Sequence, residues 1–159
     1  MAPRKVLFID IDGVLHRAPG PGDLTIAMAS LDELWEERVD LFEWAARLSD
    51  ALGDDECDLL VHSSWRAFVS ADVLRERLGP LRRRFRGCTA RSLTREASVL
   101  DAVAARRLDA GSYRVLDDEP GEFESIRGQV IVCSPGIGVS DALVAQQLRA
   151  WLDGTAGLG

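Results

Sequence analysis

Apolar positions along the chain fall into two kinds of run. Short unbroken stretches occur at Lys5 to Ile9 (KVLFI), Asp58 to His62 (DLLVH), Tyr113 to Leu116 and Gln129 to Cys133. Each is too short for a helix and reads as a buried strand. Between them the period lengthens. Ser30 with Glu33 three residues on makes a capping-box signature. Leu31, Leu34, Trp35, Leu41, Phe42, Ala45, Leu48 and Leu52 then recur at helical spacing as far as Gly53, which predicts one long helix. Ser70 caps a shorter predicted helix, ADVLRERL, closed by Gly79 and Pro80. Thr94 to Leu108 and Ser140 to Leu152 supply two more, and RFRGCTA reads as an edge strand. The stretch APGPGD at 18 to 23 is a loop.

Buried strands alternating with helices imply parallel βαβ units. The expected architecture is a three-layer α/β sandwich, Rossmann-like, around a mostly parallel sheet. With 159 residues, no internal repeat and no linker, residues 1–159 read as a single domain. No apolar stretch approaches the roughly 18 residues of a membrane span, so no membrane association is expected. The N-terminal MAPRKVLFID makes a poor signal peptide because its apolar run is short and ends in an acid. Cys57, Cys88 and Cys133 are scattered, without metal-type spacing, and fit a reduced cytoplasmic setting.

Charge changes this picture locally. The chain carries a net −7, which disfavours a generic nucleic-acid or acidic-membrane binder. From Arg75 to Arg95, however, eight arginines face only Glu76, a local +7 that leaves −14 for the remainder. This stretch is either a solvated face in an arginine-favouring composition, Lys5 being the single lysine, or a basic surface for a polyanionic partner.

The candidate chemistry sits where the strands end. The first strand runs into Asp10-Ile11-Asp12-Gly13, the second into His62-Ser63-Ser64-Trp65-Arg66, and the third into Asp117-Asp118-Glu119. Ligands of parallel sheets bind at strand carboxyl ends, so up to four carboxylates would converge on one crevice. Such a density of acids attracts a hard cation, and Mg²⁺ characteristically takes carboxylates together with phosphate oxygens. Ser63 can donate to a phosphate oxygen. Arg95, at a predicted helix start, opposes the helix dipole unless both face an anion. Acids for metal with a hydroxyl and a guanidinium for phosphate point to phosphoryl transfer. One carboxylate can attack phosphorus and a second, two residues on, can carry the proton. His62 reads as a satisfied strand-end histidine rather than a catalyst, His16 as a surface loop residue or else one that reaches substrate, and Trp65 as packing. Trp35, Trp44 and Trp151 read as helical core residues, and Arg66 as a substrate contact or a solvated side chain.

These residues carry a resemblance. DIDGVL resembles the first motif of the haloacid dehalogenase (HAD) superfamily, LLVHSS its second, and VLDD at 115 to 118 its fourth. The third motif, usually a lysine opening a helix, is matched by Arg95, with Arg91 the alternative. That departure keeps the charge but alters its geometry. DIDGVLH, HSSWR, TRE and LDDEP together look like the small HAD domains associated with RNA-repair proteins. The resemblance implies Asp10 as nucleophile and Asp12 as general acid/base. It implies Mg²⁺ held by Asp10, the Asp12 carbonyl and Asp117, with Asp118 direct or through water. Ser63, or Ser64, and Arg95 would bind the phosphoryl group. Spacing leaves no room for a substantial cap domain, so the site should be open. The expected activity is a Mg²⁺-dependent phosphatase working through an aspartyl-phosphate on a phosphorylated substrate, a polynucleotide end among the candidates. The alternative is a non-catalytic HAD-like module that binds a phosphorylated ligand or partner.

Overall fold

The computed structural model describes residues 4–154; Met1 to Pro3 of the leader reading lie outside the described residues. Five strands form one parallel sheet in the order β3-β2-β1-β4-β5. They are β1 (Lys5–Ile9), β2 (Cys57–Val61), β3 (Phe85–Cys88), β4 (Tyr113–Asp117) and β5 (Val130–Val132). The chain builds outward from β1 through β2 to β3, then returns to its other side for β4 and β5. That reversal makes the gap between β1 and β4 the switch point, where a parallel sheet opens a crevice at its carboxyl end.

Alternation along β1 creates the layers. Leu7 and Ile9 join a core with Leu34, Leu48, Leu74, Leu148 and Trp151 on one face. Val6 and Phe8 join Val99, Val115, Phe123 and Ile126 on the other. The first face is covered by α1 (Leu31–Glu37), α2 (Ala45–Leu52), α3 (Ala71–Arg77) and α5 (Ala142–Leu152). The second is covered by α4 (Arg95–Ala105) and the 3₁₀ segment Pro120–Gln129. This is the expected three-layer α/β sandwich, with a sheet that is parallel throughout and no cap among the described residues. Among the described residues no helix is long and apolar enough to cross a membrane.

One predicted element breaks in two. The helix expected from Leu31 to Leu52 stops at Glu37 and restarts at Ala45. The Ser30–Glu33 capping box forms as predicted. Arg38 then turns into an extended conformation, and its buried guanidinium bonds Asp40 and the Arg17 carbonyl. Phe42 takes φ +60 and gives its N–H to His16 Nδ1, while the Trp44 N–H goes to the Leu15 carbonyl. Hydrogen bonds to a distant loop replace the helical ladder, which local periodicity does not register. Trp35 is also corrected: it is partly exposed under the Arg77 guanidinium rather than in the core.

The basic stretch is dispersed by the fold. Arg75 lies over Phe85 and Arg77 over Trp35. Arg84 bonds the carbonyls of Gly53 and Asp55, and Arg86 bonds Asp58. Arg82 and Arg83 precede β3, hence at the end of the sheet opposite the crevice. Only Arg91 and Arg95 follow its carboxyl end.

Candidate active site

Asp10 follows the last residue of β1 and Asp117 closes β4, so neighbouring strands set these two acids side by side across the switch point. Carboxylate oxygens of Asp10, Asp117 and Asp118 all lie within 4.8 Å of one another. Gly13 makes room for this approach. It adopts φ +77, and a Cβ there would stand 2.4 Å from Asp118 Oδ2, a contact no side chain tolerates.

The cluster is poorly solvated and only partly compensated. Asp10 and Asp117 are buried. Burial, then the neighbouring Asp117, pushes the Asp10 carboxyl up to about 6. The same two causes, in that order, raise Asp118 to about 6, and burial raises Asp117. Arg95 is the counterweight: its Nη1 lies 3.1 Å from Asp117 Oδ1, 3.5 Å from Asp10 Oδ2 and 3.4 Å from Glu119 Oε2. It sits at the first residue of α4, immediately after the Thr94 cap. Arg91, the alternative match, is exposed in the preceding loop. Backbone N–H groups add to the compensation, Ile11 to Asp10 Oδ1 at 2.8 Å and Glu119 to Asp117 Oδ1 at 2.9 Å.

His62 is fully buried against Phe123, and its Nε2 lies 2.8 Å from Asp117 Oδ2. Burial lowers its pKa to about 4, which keeps the ring neutral. The expectation of a satisfied histidine is half met, because Nδ1 is buried without a hydrogen-bond partner. Ser63 is buried next to it and caps a short 3₁₀ turn, Ser64–Ala67, its Oγ accepting from the Trp65 N–H at 3.2 Å. Accepting there leaves the hydroxyl proton to donate. Ser64 is exposed in that turn. Arg66 curls back through Nη1 onto the carbonyls of His62 and Ser63.

Asp12 departs from the expected crowding. Its carboxylate does not belong to the cluster of three; Oδ1 lies 2.7 Å from His16 Nε2 and Oδ2 accepts from Trp65 Nε1 at 3.1 Å. Both its carboxylate oxygens thus face N–H groups rather than the other acids. The placement of His16 on the surface is overturned: it has no exposure at all. Trp65 is core, as expected, but its indole N–H also serves Asp12. One sequence signal could have found His16: it directly follows Val14 and Leu15, both fully buried apolar residues of the DIDGVL motif.

The donor set suits a hard divalent cation. Three carboxylates at this spacing, two of them pushed up to about 6 by burial and by Asp117, are all-oxygen ligands of the kind Mg²⁺ takes. A search among curated proteins finds no match. Comparison with known families aligns residues 6–144 with the HAD domain in Swiss Army Knife RNA repair proteins. That span contains every residue of the crevice. The chain belongs to this family of HAD domains.

Proposed function

We propose that the protein is a Mg²⁺-dependent phosphomonoesterase that works through an aspartyl-phosphate on Asp10. The observation that carries this reading is the division of labour between two acids in one motif. Asp10 is buried in the Asp117–Asp118–Arg95 cluster, while Asp12 is held apart by N–H donors.

In the reaction the Asp10 carboxylate forms a bond to phosphorus as the bond to the ester oxygen breaks. Asp12 gives that departing oxygen its proton. The aspartyl-phosphate is then attacked at phosphorus by water, whose proton returns to Asp12, and Asp10 leaves as a carboxylate. Ser63 and Arg95 hold the transferred phosphoryl oxygens. Asp10, Asp117, the Asp12 carbonyl and, directly or through water, Asp118 would hold Mg²⁺, which would neutralise the negative charge gathered between nucleophile and phosphate. The family description favours a polynucleotide end as substrate, and an open, capless crevice would admit one.

A second reading rests on Arg95. Its guanidinium already spans Asp10 and Asp117 and provides positive charge where a cation would sit. That arrangement favours a non-catalytic module binding a phosphorylated ligand. Purified protein assayed with Mg²⁺ or EDTA, on an aryl phosphate and on 3′- and 5′-phosphorylated oligoribonucleotides, separates the two. The first reading expects metal-dependent turnover that Asp10→Asn abolishes; no turnover of any ester would favour the second.

A further inference from the structure

The phosphatase reading leaves unexplained why Asp12 faces a buried histidine and why the helix expected at 31 to 52 breaks beside it. One set of contacts accounts for both. His16 Nδ1 accepts the Phe42 N–H at 3.1 Å. A ring that accepts at Nδ1 carries its proton at Nε2, so the 2.7 Å contact to Asp12 Oδ1 is a donation from histidine to carboxylate. The backbone of a remote segment thus dictates the tautomer.

Phe42 is held in a costly conformation for this. At φ +60 it is one of two non-glycine residues with positive φ among those described, a region that an aromatic side chain rarely occupies. Its ring packs at 5.7 Å from His16 and 5.3 Å from Trp65, with His16 and Trp65 at 5.8 Å. The three rings make a closed wall in which His16 has no exposure. Two N–H groups project from that wall onto the two oxygens of a single carboxylate.

Resting on the phosphatase reading, we propose that His16 is a positioning residue for the reaction. Held as the Nε2–H tautomer by the Phe42 N–H, it acts with Trp65 to aim the Asp12 carboxyl group at the departing ester oxygen. The Leu15–Phe42–Trp44 junction is then part of the catalytic apparatus rather than a fault in a helix.

The test compares two esters on the same protein. An ester with a very acidic leaving group, 2,4-dinitrophenyl phosphate, leaves without a proton; phenyl phosphate needs one. His16→Phe removes both ring nitrogens at similar volume, and His16→Gln restores an N–H donor. Asp10→Asn serves as the control for the site itself. The expected result for His16→Phe is a fall of about 10- to 100-fold in the first-turnover rate of phenol release from phenyl phosphate, with little change in the first-turnover release of dinitrophenolate. His16→Gln should recover part of the loss. Equal losses on both esters, or a ¹⁵N spectrum showing the Nδ1–H tautomer, would overturn the proposal alone. Inactivity of the unmodified protein on both esters would overturn the phosphatase reading and the proposal with it.

Discussion

Asp10 and Asp12 stand one residue apart at the end of the same strand, and their surroundings differ in almost every respect. Asp10 lies among other acids, desolvated, with one guanidinium and one backbone N–H to offset its charge. Asp12 has no carboxylate of the cluster beside it and meets an N–H on each oxygen. Like charges crowded in a dry crevice are unfavourable unless a cation or proton relieves them. The Asp12 carboxyl group instead meets an N–H donor on each oxygen, which fixes its orientation. On the proposed phosphatase reading, the contrast separates a residue that would meet a cation and a phosphate from one held in place to move a proton.

The largest expected effect comes from removing one acid or the other. Asp10→Asn should lower turnover of every ester on the order of 10³-fold or more, since the nucleophile is gone. Asp12→Asn should cost about 10²- to 10⁴-fold on esters that need a proton, and much less in the first step on esters that do not. First-turnover rates of leaving-group release on the two ester types check this, and equal losses for both variants would erase the distinction.

Metal and pH probe the crowded side. The Asp10 and Asp118 carboxyls are raised from 3.8 to about 6. In that window the folded protein holds protons that the unfolded chain releases, so these groups lose stabilising influence as pH rises through it. A cation must displace those protons to bind. Mg²⁺ should therefore raise the melting temperature more at about pH 7.5 than at about pH 5. Thermal melts of unmodified protein and Asp10→Asn with and without Mg²⁺ measure it; a shift independent of pH would contradict the account.

Gly13→Ala tests the closeness of Asp118. Positive φ and a methyl 2.4 Å from Asp118 Oδ2 should cost more than about 1 kcal/mol. That corresponds to a fall of at least about 2 °C in melting temperature, with weakened Mg²⁺ response. The smallest effect belongs to Trp65→Phe, which keeps the ring wall and removes one donor from Asp12. A first-turnover loss under about tenfold on proton-requiring esters is expected, read against an unchanged first-turnover release of dinitrophenolate.

How much of this was legible differs between the same two regions. The acids of the crowded side announce themselves because each ends a short apolar run, and runs of that length become strands whose neighbours are set by chain order. The strand at Lys5 to Ile9 forms at its expected bounds, and the capping box at Ser30 forms as read. The Asp12 side was hidden. Periodicity carried Leu41 and Phe42 into a helix because it weighs only local spacing, whereas the break is made by bonds from Leu15 and His16. A histidine in a loop likewise reads as exposed until the three rings close around it. The arginine-rich stretch shows the converse: its charge is plain in sequence, but the fold sends Arg84 to carbonyls and Arg77 to Trp35, away from the crevice.

The direct test of the central claim is to trap the covalent intermediate. Asp12→Asn would be mixed with 2,4-dinitrophenyl phosphate and Mg²⁺, quenched in acid within the first turnover, reduced with borohydride and mapped by mass spectrometry. The account predicts label on Asp10, accumulating because hydrolysis of the aspartyl-phosphate now lacks its base, and none in Asp10→Asn. Label on Asp12 or Asp117 in the unmodified protein, or turnover that continues without any labelled aspartate in Asp12→Asn, would contradict it.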